Sequence, residues 1–480
     1  MSVVVTLALF VSSWLIGCGL LRLFAWPVAE TRTAKLGTAA LAWLVGNAVT
    51  ATFYVALRSL GVDGRVSLVF WELALACGIG VTIVSLRSRR VDPLAPTLHV
   101  RRPRYLLAGV VSIFLITILG ACVGVCSCYV EYPEGRTDAW AIWNLAARFL
   151  AADGDAWTGQ FNAANAHPDY PLLVPGALAR CWRLAGGDAS IIAARALHVL
   201  FAASLCGLFV ASLARTRGVV VALLAGAMLL APSQFSHYAA VLYADLPLAS
   251  FFLAAFVVME EAERRGGANR CWALAGMLAA FAAWTKNEGI VFLVVVGAAI
   301  AWSQRRVPHG RRLVARWALG AAPVVLLIAT FKVFLMPAND LVAGYSHWVE
   351  KVAVPARYFA IGLGLLDSWA LRPVAMLLLI ALVVGVRPNR GATAQAATKT
   401  CIAMLAVFCA VYLTTPFDLA THLRTSLPRL LLQLWPLALW TIFNTVNWDR
   451  LAPGTAGVPP APAMAKYARD RLRRERRLAR

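Results

Sequence analysis

The chain has 480 residues, of which 60% are hydrophobic and only 14% charged, with a mean hydropathy of +0.71. Soluble domains usually carry about 25% charged residues, so a string of soluble domains is excluded and an integral membrane protein is indicated. The net charge of +22 is gathered in short segments between and after apolar runs, the distribution of cytoplasmic loops rather than of a nucleic-acid-binding face.

The first run, "VVVTLALFVSSWLIGCGLL", lacks a basic n-region and a cleavage site, so it is read as a retained helix rather than a signal peptide. It opens a series of thirteen expected spans: 2–24, 36–58, 66–86, 105–127, 190–213, 216–232, 246–264, 271–286, 288–304, 313–335, 370–386, 398–415 and 428–446. They are continuous Leu/Ala/Val runs near the ~20 residues that cross a hydrocarbon core, whereas a β-barrel needs short alternating segments. The expected fold class is all-α, a polytopic membrane helical bundle. Internal repeats and Gly/Pro-broken helices, which mark secondary transporters, are not evident. The GxG triplets at 17–19, 78–80 and 362–364 are read as helix-packing positions.

Charge sets the direction. Six Arg fall in 87–104, five in 305–316, and eight Lys/Arg in the tail 466–480. These clusters, with Arg32/Lys35, Arg215/Arg217, Arg264/Arg265/Arg270 and Arg387/Arg390/Lys399, alternate onto one side, which the positive-inside rule makes cytoplasmic. The N-terminus is then outside, the C-terminus inside, and residues 129–189 outside. Counting 170–185 as a span would invert everything after it, so it is read as an interfacial helix. Four regions result: three N-terminal helices (1–104), a core with the outer loop 129–189 (105–335), an outer loop and C-terminal helices (336–448), and a Pro-rich linker with a basic tail (449–480). Such a tail suits anionic lipid headgroups; nucleic acid is not an expected partner.

The outer loop opens with "YVEYPEGRTDAWAIWNLAARFLAADGDAW" (129–157), which holds two Glu, three Asp and three Trp. Its "DAWAIWNLAARFLAA" is too short to span. Trp140 and Trp143 place it at headgroup depth, and Asn144 and Arg148 share a polar face. No Walker loop, HExxH or GxSxG elbow occurs, which disfavours a nucleotide-driven pump. The ten Cys show no metal-ligand spacing; Cys126, Cys128 and Cys181 face the outer compartment, leaving a disulfide open.

Ionisable residues gather instead at the outer ends of helices: Asp138, Asp245, Lys286 and Glu288 in "WTKNEG", and Arg429 in "TSLPRLLLQLWP". Two readings stand for Asp138 and Asp245, a helix N-cap or a chemical group. Lys286 either snorkels beside a neutralising Glu288 or binds an anion. Arg429 lies on the side that should be poor in Arg, in the first turn of the expected span 428–446, where the helix dipole disfavours a cation. A nearby anion resolves both conflicts, and at headgroup depth that anion is a phosphate.

The order of Asp138, its helix, "DGDAWTGQFNAANAHPDYPLLVPGALARCW", "VLYADLPLASFF", the "TKNEG" turn and the late "SLPRLLLQLWP" resembles the GT-C glycosyltransferases, closest to the protein O-mannosyltransferase and aminoarabinose-transferase branch. The likeness covers roughly residues 105–305. It departs from the family at Ala139, where an Asp-Glu pair is common, and in "HPDYPL", where Asp169 and Tyr170 replace the family's Lys-Pro. The resemblance implies a bacterial inner-membrane enzyme that transfers a sugar from a polyprenyl-phosphate-linked donor to a glycan, lipid or protein acceptor, with inversion. Asp138 is the implied general base, and Arg429 and Lys286 bind the donor phosphate. Asp245, Glu288, His167, Asp169 and Tyr170 complete the substrate site. No cofactor is required; the open variant is a divalent cation held by Asp138 and Asp245. A small-solute transporter and a non-catalytic membrane scaffold are the alternatives.

Overall fold

A computed structural model describes residues 2–27, 29, 31–85, 104–186, 190–266, 269–307, 309–338, 348–387 and 391–451. The basic segment 87–103 and the linker and tail beyond residue 451 lie outside the described residues. The described chain is helical, and its one β-bridge joins Val386 to Val446.

The first helices are α1 (Ser2–Leu23), α2 (Arg32–Ser59), α3 (Arg65–Ser85) and α4 (Arg104–Glu131). The loop that follows holds a π-turn (Ala139–Trp143), α5 (Asn144–Ala151), a 3-10 segment (Gly154–Phe161) and α6 (Leu173–Ala185). The bundle continues with α7 (Ile191–Arg217), α8 (Val219–Leu230), α9 (Ser233–Ala240), α10 (Asp245–Arg264), α11 (Asn269–Thr285), α12 (Asn287–Gln304) and α13 (Gly310–Phe334). After a short α14 (Trp348–Val352) come α15 (Pro355–Leu366), α16 (Leu371–Val384), α17 (Ala392–Thr414) and α18 (Leu419–Thr445).

Eight helices are long and apolar enough to cross a membrane: α1–α4, α7, α12, α13 and α17. The pairs α8/α9 and α15/α16, bent by 66° and 77°, raise the number to ten if each pair is one span. The expected segments 246–264, 271–286 and 428–446 are helical too, as α10, α11 and α18, but they fall outside that set. α11 has 17 residues. α10 ends in Glu260, Glu261, Glu263 and Arg264, and α18 carries Arg429, Gln433 and two Pro. Both are buried along most of their length, so their polar groups face protein rather than lipid. The two bends correct the expectation of unbroken helices. Pro232 stands at one break, where it cannot continue the backbone ladder.

α2, α7, α10 and α11 form the buried centre, whereas α3 and α4 are largely exposed apolar helices. α1 and α2 cross at glycine: a Cβ on Gly17 would stand 1.7 Å from the Ala42 carbonyl oxygen, and one on Gly46 1.7 Å from that of Ser13. Gly78 and Gly80 face open space, so that triplet does not pack a helix as expected.

Three further readings change. α6, expected at an interface, is buried on nearly every residue, and its 13 residues reach only about 20 Å at 1.5 Å per residue. Its Arg180 is buried against α1 and α3, donating to Ser12, to Ser13 (3.2 Å) and to Glu72 (2.9 Å from Nε). Trp140 is exposed as expected at a boundary, but Trp143 is 1% exposed and belongs to the core. α18 begins at Leu419 rather than near 428.

The basic turns that are described meet at one end of the bundle. Arg265 donates to Ala25 O (2.8 Å), Arg270 to Leu23 O (3.3 Å), and Arg217 to Asn444 O. Glu263 accepts from the Ala392 and Thr393 amides at the start of α17 (2.7 and 2.9 Å). The loop 132–172 closes the other end. It is clasped there by Arg58, which donates to Ala152 O (2.6 Å), Gly154 O (3.1 Å) and Asp63, and by Arg183, which pairs with Asp63 (3.0 Å) and Asp153. The hydrogen bond and charge of Arg183 hold the Asp153 carboxyl below its usual range.

Candidate functional site

The loop end brings together residues that lie far apart in the chain. Asp138 follows Gly135, whose φ of +83° is open to glycine at little cost. A Cβ there would meet Val241 O at 2.8 Å. This close approach sets the pre-helical segment against the α9–α10 turn, and the Asp138 amide donates to the Tyr243 hydroxyl at 3.3 Å. Within that turn Leu242 is held at φ +62°, a left-handed conformation costly for a branched side chain, and Asp245 opens α10 three residues later.

Lys286 is the extended residue between α11 and α12. The hairpin is tight because Gly289 lacks a Cβ, which would stand 1.9 Å from the Ala282 carbonyl oxygen. Arg429 and Gln433, four residues apart and so on one face of α18, reach in from the C-terminal part of the chain.

One guanidinium joins the two carboxylates. Arg429 Nη1 donates to Asp138 Oδ2 at 2.6 Å and Arg429 Nε to Asp245 Oδ2 at 3.0 Å. The same guanidinium lies over the Tyr243 ring, 4.7 Å from its centre. Asp245 Oδ1 accepts from Lys286 Nζ (3.0 Å) and Gln433 Nε2 (2.7 Å). Lys286 also pairs with Glu288 at 2.7 Å. Three carboxylates therefore face two cations, leaving a formal charge of −1 for the group. Exposure separates their roles: the side chains of Asp245 and Lys286 are 0% and 3% exposed, those of Asp138 and Arg429 24% and 16%.

A second layer adjoins it. Asp169 Oδ2 accepts from Asn287 Nδ2 (2.8 Å) and Lys332 Nζ (3.3 Å), and Lys332 also donates to Asn287 Oδ1 (3.0 Å). Tyr170 is stacked between Trp143 (centroids 5.5 Å apart) and His167 (4.7 Å). Burial pushes the Tyr170 hydroxyl well above its usual value, and the Glu288 charge adds to the rise. His167 has φ +49°, the second strained backbone position beside the site.

All eight residues singled out in the sequence thus belong to this end of the bundle, but several in roles other than those expected. Neither Asp caps a helix with its side chain: Asp138 holds the cap position of the π-turn but makes no side-chain cap hydrogen bond, and Ala244 holds the cap position of α10. Lys286 does not snorkel; it is buried between two carboxylates. Arg429 stands ten residues into α18, so the dipole conflict disappears, and carboxylates neutralise its charge. Tyr243, Asn287, Lys332 and Gln433 were missed. Two signals were available: Gln433 at i+4 from Arg429, and the lone Lys332 in the apolar "TFKVF".

Among the described residues no three His, Cys, Asp or Glu side chains are grouped to hold a metal ion, and Arg429 stands between the two Asp offered for a divalent cation. The ten cysteines are free thiols, with Cys181 buried. The chain matches no characterised protein family, no curated protein and no solved structure.

Proposed function

We propose that the protein is a membrane glycosyltransferase that moves a sugar from a polyprenyl-phosphate donor to an acceptor hydroxyl or amine at the outer face of a bacterial inner membrane. The observation that carries this reading is the Asp138–Arg429–Asp245 bridge, a carboxylate within reach of substrate fixed by a cation at the loop end of an apolar bundle. Ionisable groups placed so within membrane helices are costly and generally serve function.

The exposures assign the parts. Asp138, the accessible carboxylate, accepts the acceptor's proton as general base, a role worth ~10²–10⁴-fold. The acceptor oxygen or nitrogen then bonds to the anomeric carbon, the carbon–oxygen bond to phosphate breaks, and its electron pair leaves on polyprenyl phosphate. Attack opposite the leaving group inverts the centre. Arg429 uses Nε and Nη1 for the carboxylates, so Nη2 remains to meet the growing phosphate charge. Lys286, buried, acts by holding Asp245 and Glu288 in place. Eight helices meet the spanning criterion outright; thirteen spans with the loop outside remain part of the proposal.

The deciding experiment is conversion of radiolabelled polyprenyl-phosphate-linked sugars by the purified protein and by Asp138→Asn. Release of polyprenyl phosphate by the wild type alone is expected; no release from any lipid-linked sugar by either rules the reading out. The bends of 66° and 77° favour a second reading, a small-solute transporter with broken helices. Solute flux in proteoliposomes without any product would favour it.

A further inference from the structure

A cleft of 620 Å³ lies between the α15–α16 bend and the first turns of α18. Its floor is apolar: Leu423 and Leu427 are buried, and Trp369 packs edge-on against Trp435 at 5.1 Å. Its charged lining residues are Arg372 from α16, Arg424 from α18 and Asp367 from the bend. Both Arg are exposed, and among the described residues neither donates a hydrogen bond to a carbonyl or carboxylate. Asp418 caps α18, accepting from the Thr421 amide at 2.9 Å, and its charge interacts with that of Arg424. The lining itself holds two guanidiniums and one carboxylate, and the Asp418 charge acts on Arg424 from outside it. Leu366 and Leu379, on the two arms of the bend, are exposed.

Two exposed guanidiniums beside an apolar floor define an amphiphile's site. A phosphate fits the paired forks, since guanidinium binds it bidentately, and a hydrocarbon chain fits Leu423, Leu427 and Trp369. We infer that this cleft binds a phosphate-headed lipid, with the phosphate between Arg372 and Arg424 and the first part of its chain on the apolar floor. The inference does not depend on sugar transfer. Pro428, the residue before Arg429, lies in its wall, which makes it adjacent to the carboxylate–guanidinium bridge but separate from it.

The test measures binding of farnesyl phosphate and of dioleoyl phosphatidylglycerol to the full chain in detergent, by native mass spectrometry. Farnesol and inorganic phosphate serve as the two halves of the ligand. The double variant R372Q/R424Q should raise Kd at least about 10-fold, as expected for a lost charged hydrogen bond. Leu423→Trp, which fills the floor, should do the same with both charges present. Neither half-ligand should compete. Response to farnesyl phosphate alone identifies an isoprenoid phosphate as occupant, and response to both lipids identifies phosphate-headed lipids generally. Unchanged affinity for both lipids in R372Q/R424Q and in Leu423→Trp overturns the inference. Gly78→Ala, on the open face of α3, should leave both affinities intact, and transfer is read separately in Asp138→Asn, so a failed cleft leaves the transferase reading standing and a silent Asp138→Asn leaves the cleft standing.

Discussion

Asp138 and Arg429 form the pair on which most of the chemistry depends, and their substitutions separate base from scaffold. Asp138→Asn should abolish transfer with the fold kept. The amide can still accept from Arg429, and Asp138 makes no cap hydrogen bond that would be lost. Full activity in the lipid-linked sugar assay would return Asp138 to a structural role. Arg429→Ala acts differently, because it leaves Asp245 buried with one cation fewer. Removing one partner of a buried pair costs about 3–5 kcal/mol, so a clear drop in thermal stability should accompany loss of transfer. Arg429→Lys keeps the charge but cannot reach two carboxylates with a planar fork, and should recover stability more than activity. Equal melting temperatures in all three proteins would contradict the bridge.

At the scale of elements, the α11–α12 hairpin and the loop clasp hold the site. Gly289→Ala forces a Cβ against backbone rather than against a movable side chain. Overpacking of this kind usually costs 1–3 kcal/mol, and moving the hairpin displaces Lys286 and Glu288. Gly78→Ala, on an open face, should be silent in the same thermal-unfolding measurement. The clasp carries a pH dependence whose sign follows from Asp153. Its folded carboxyl titrates below the ordinary value, so its contribution is present above that value and is lost as pH falls through the lower folded one. Pepsin cleavage between Leu150 and Asn162 should therefore increase as pH falls from about 4 toward 2. Arg183→Gln should be cleaved readily at the upper end of that range as well. A flat profile in the wild type would mean that the Arg183–Asp153 pair does not anchor the loop.

For the whole molecule, the testable statement is sidedness. Reporter fusions after residues 95, 160, 310 and 470 should read inside, outside, inside and inside. An inside signal at 160 would put the Asp138 site on the wrong face for a donor delivered outside. Arg217, Arg265 and Arg270 gather at one end through bonds to Asn444, Ala25 and Leu23, and the site lies at the other. At the loop end Arg58, Arg180 and Arg183 are each committed to a carboxylate, whereas Arg372 and Arg424 are exposed.

Composition and periodicity alone determined the helical membrane class and the approximate position of the long apolar helices, though not of α9 and α15, since an apolar run long enough to span has few other stable forms. They also exposed the site's charged residues, because Asp138, Asp245, Lys286 and Arg429 are conspicuous where charge is scarce. What they could not determine was pairing. Asp138 and Arg429 are 291 residues apart, and no local rule says that one guanidinium will bridge two carboxylates from different helices. Nor could they determine burial: Trp143 reads like Trp140 in the sequence, yet one stacks on Tyr170 inside the core and the other is exposed. The segments 246–264 and 428–446 read as spans like the others, and only the packing shows that Asp245 of α10 meets Arg429 and Gln433 of α18. Helix formation is local and apolarity is additive, so both are written along the chain; ion pairing and burial depend on which faces meet, and the tertiary structure alone decides that.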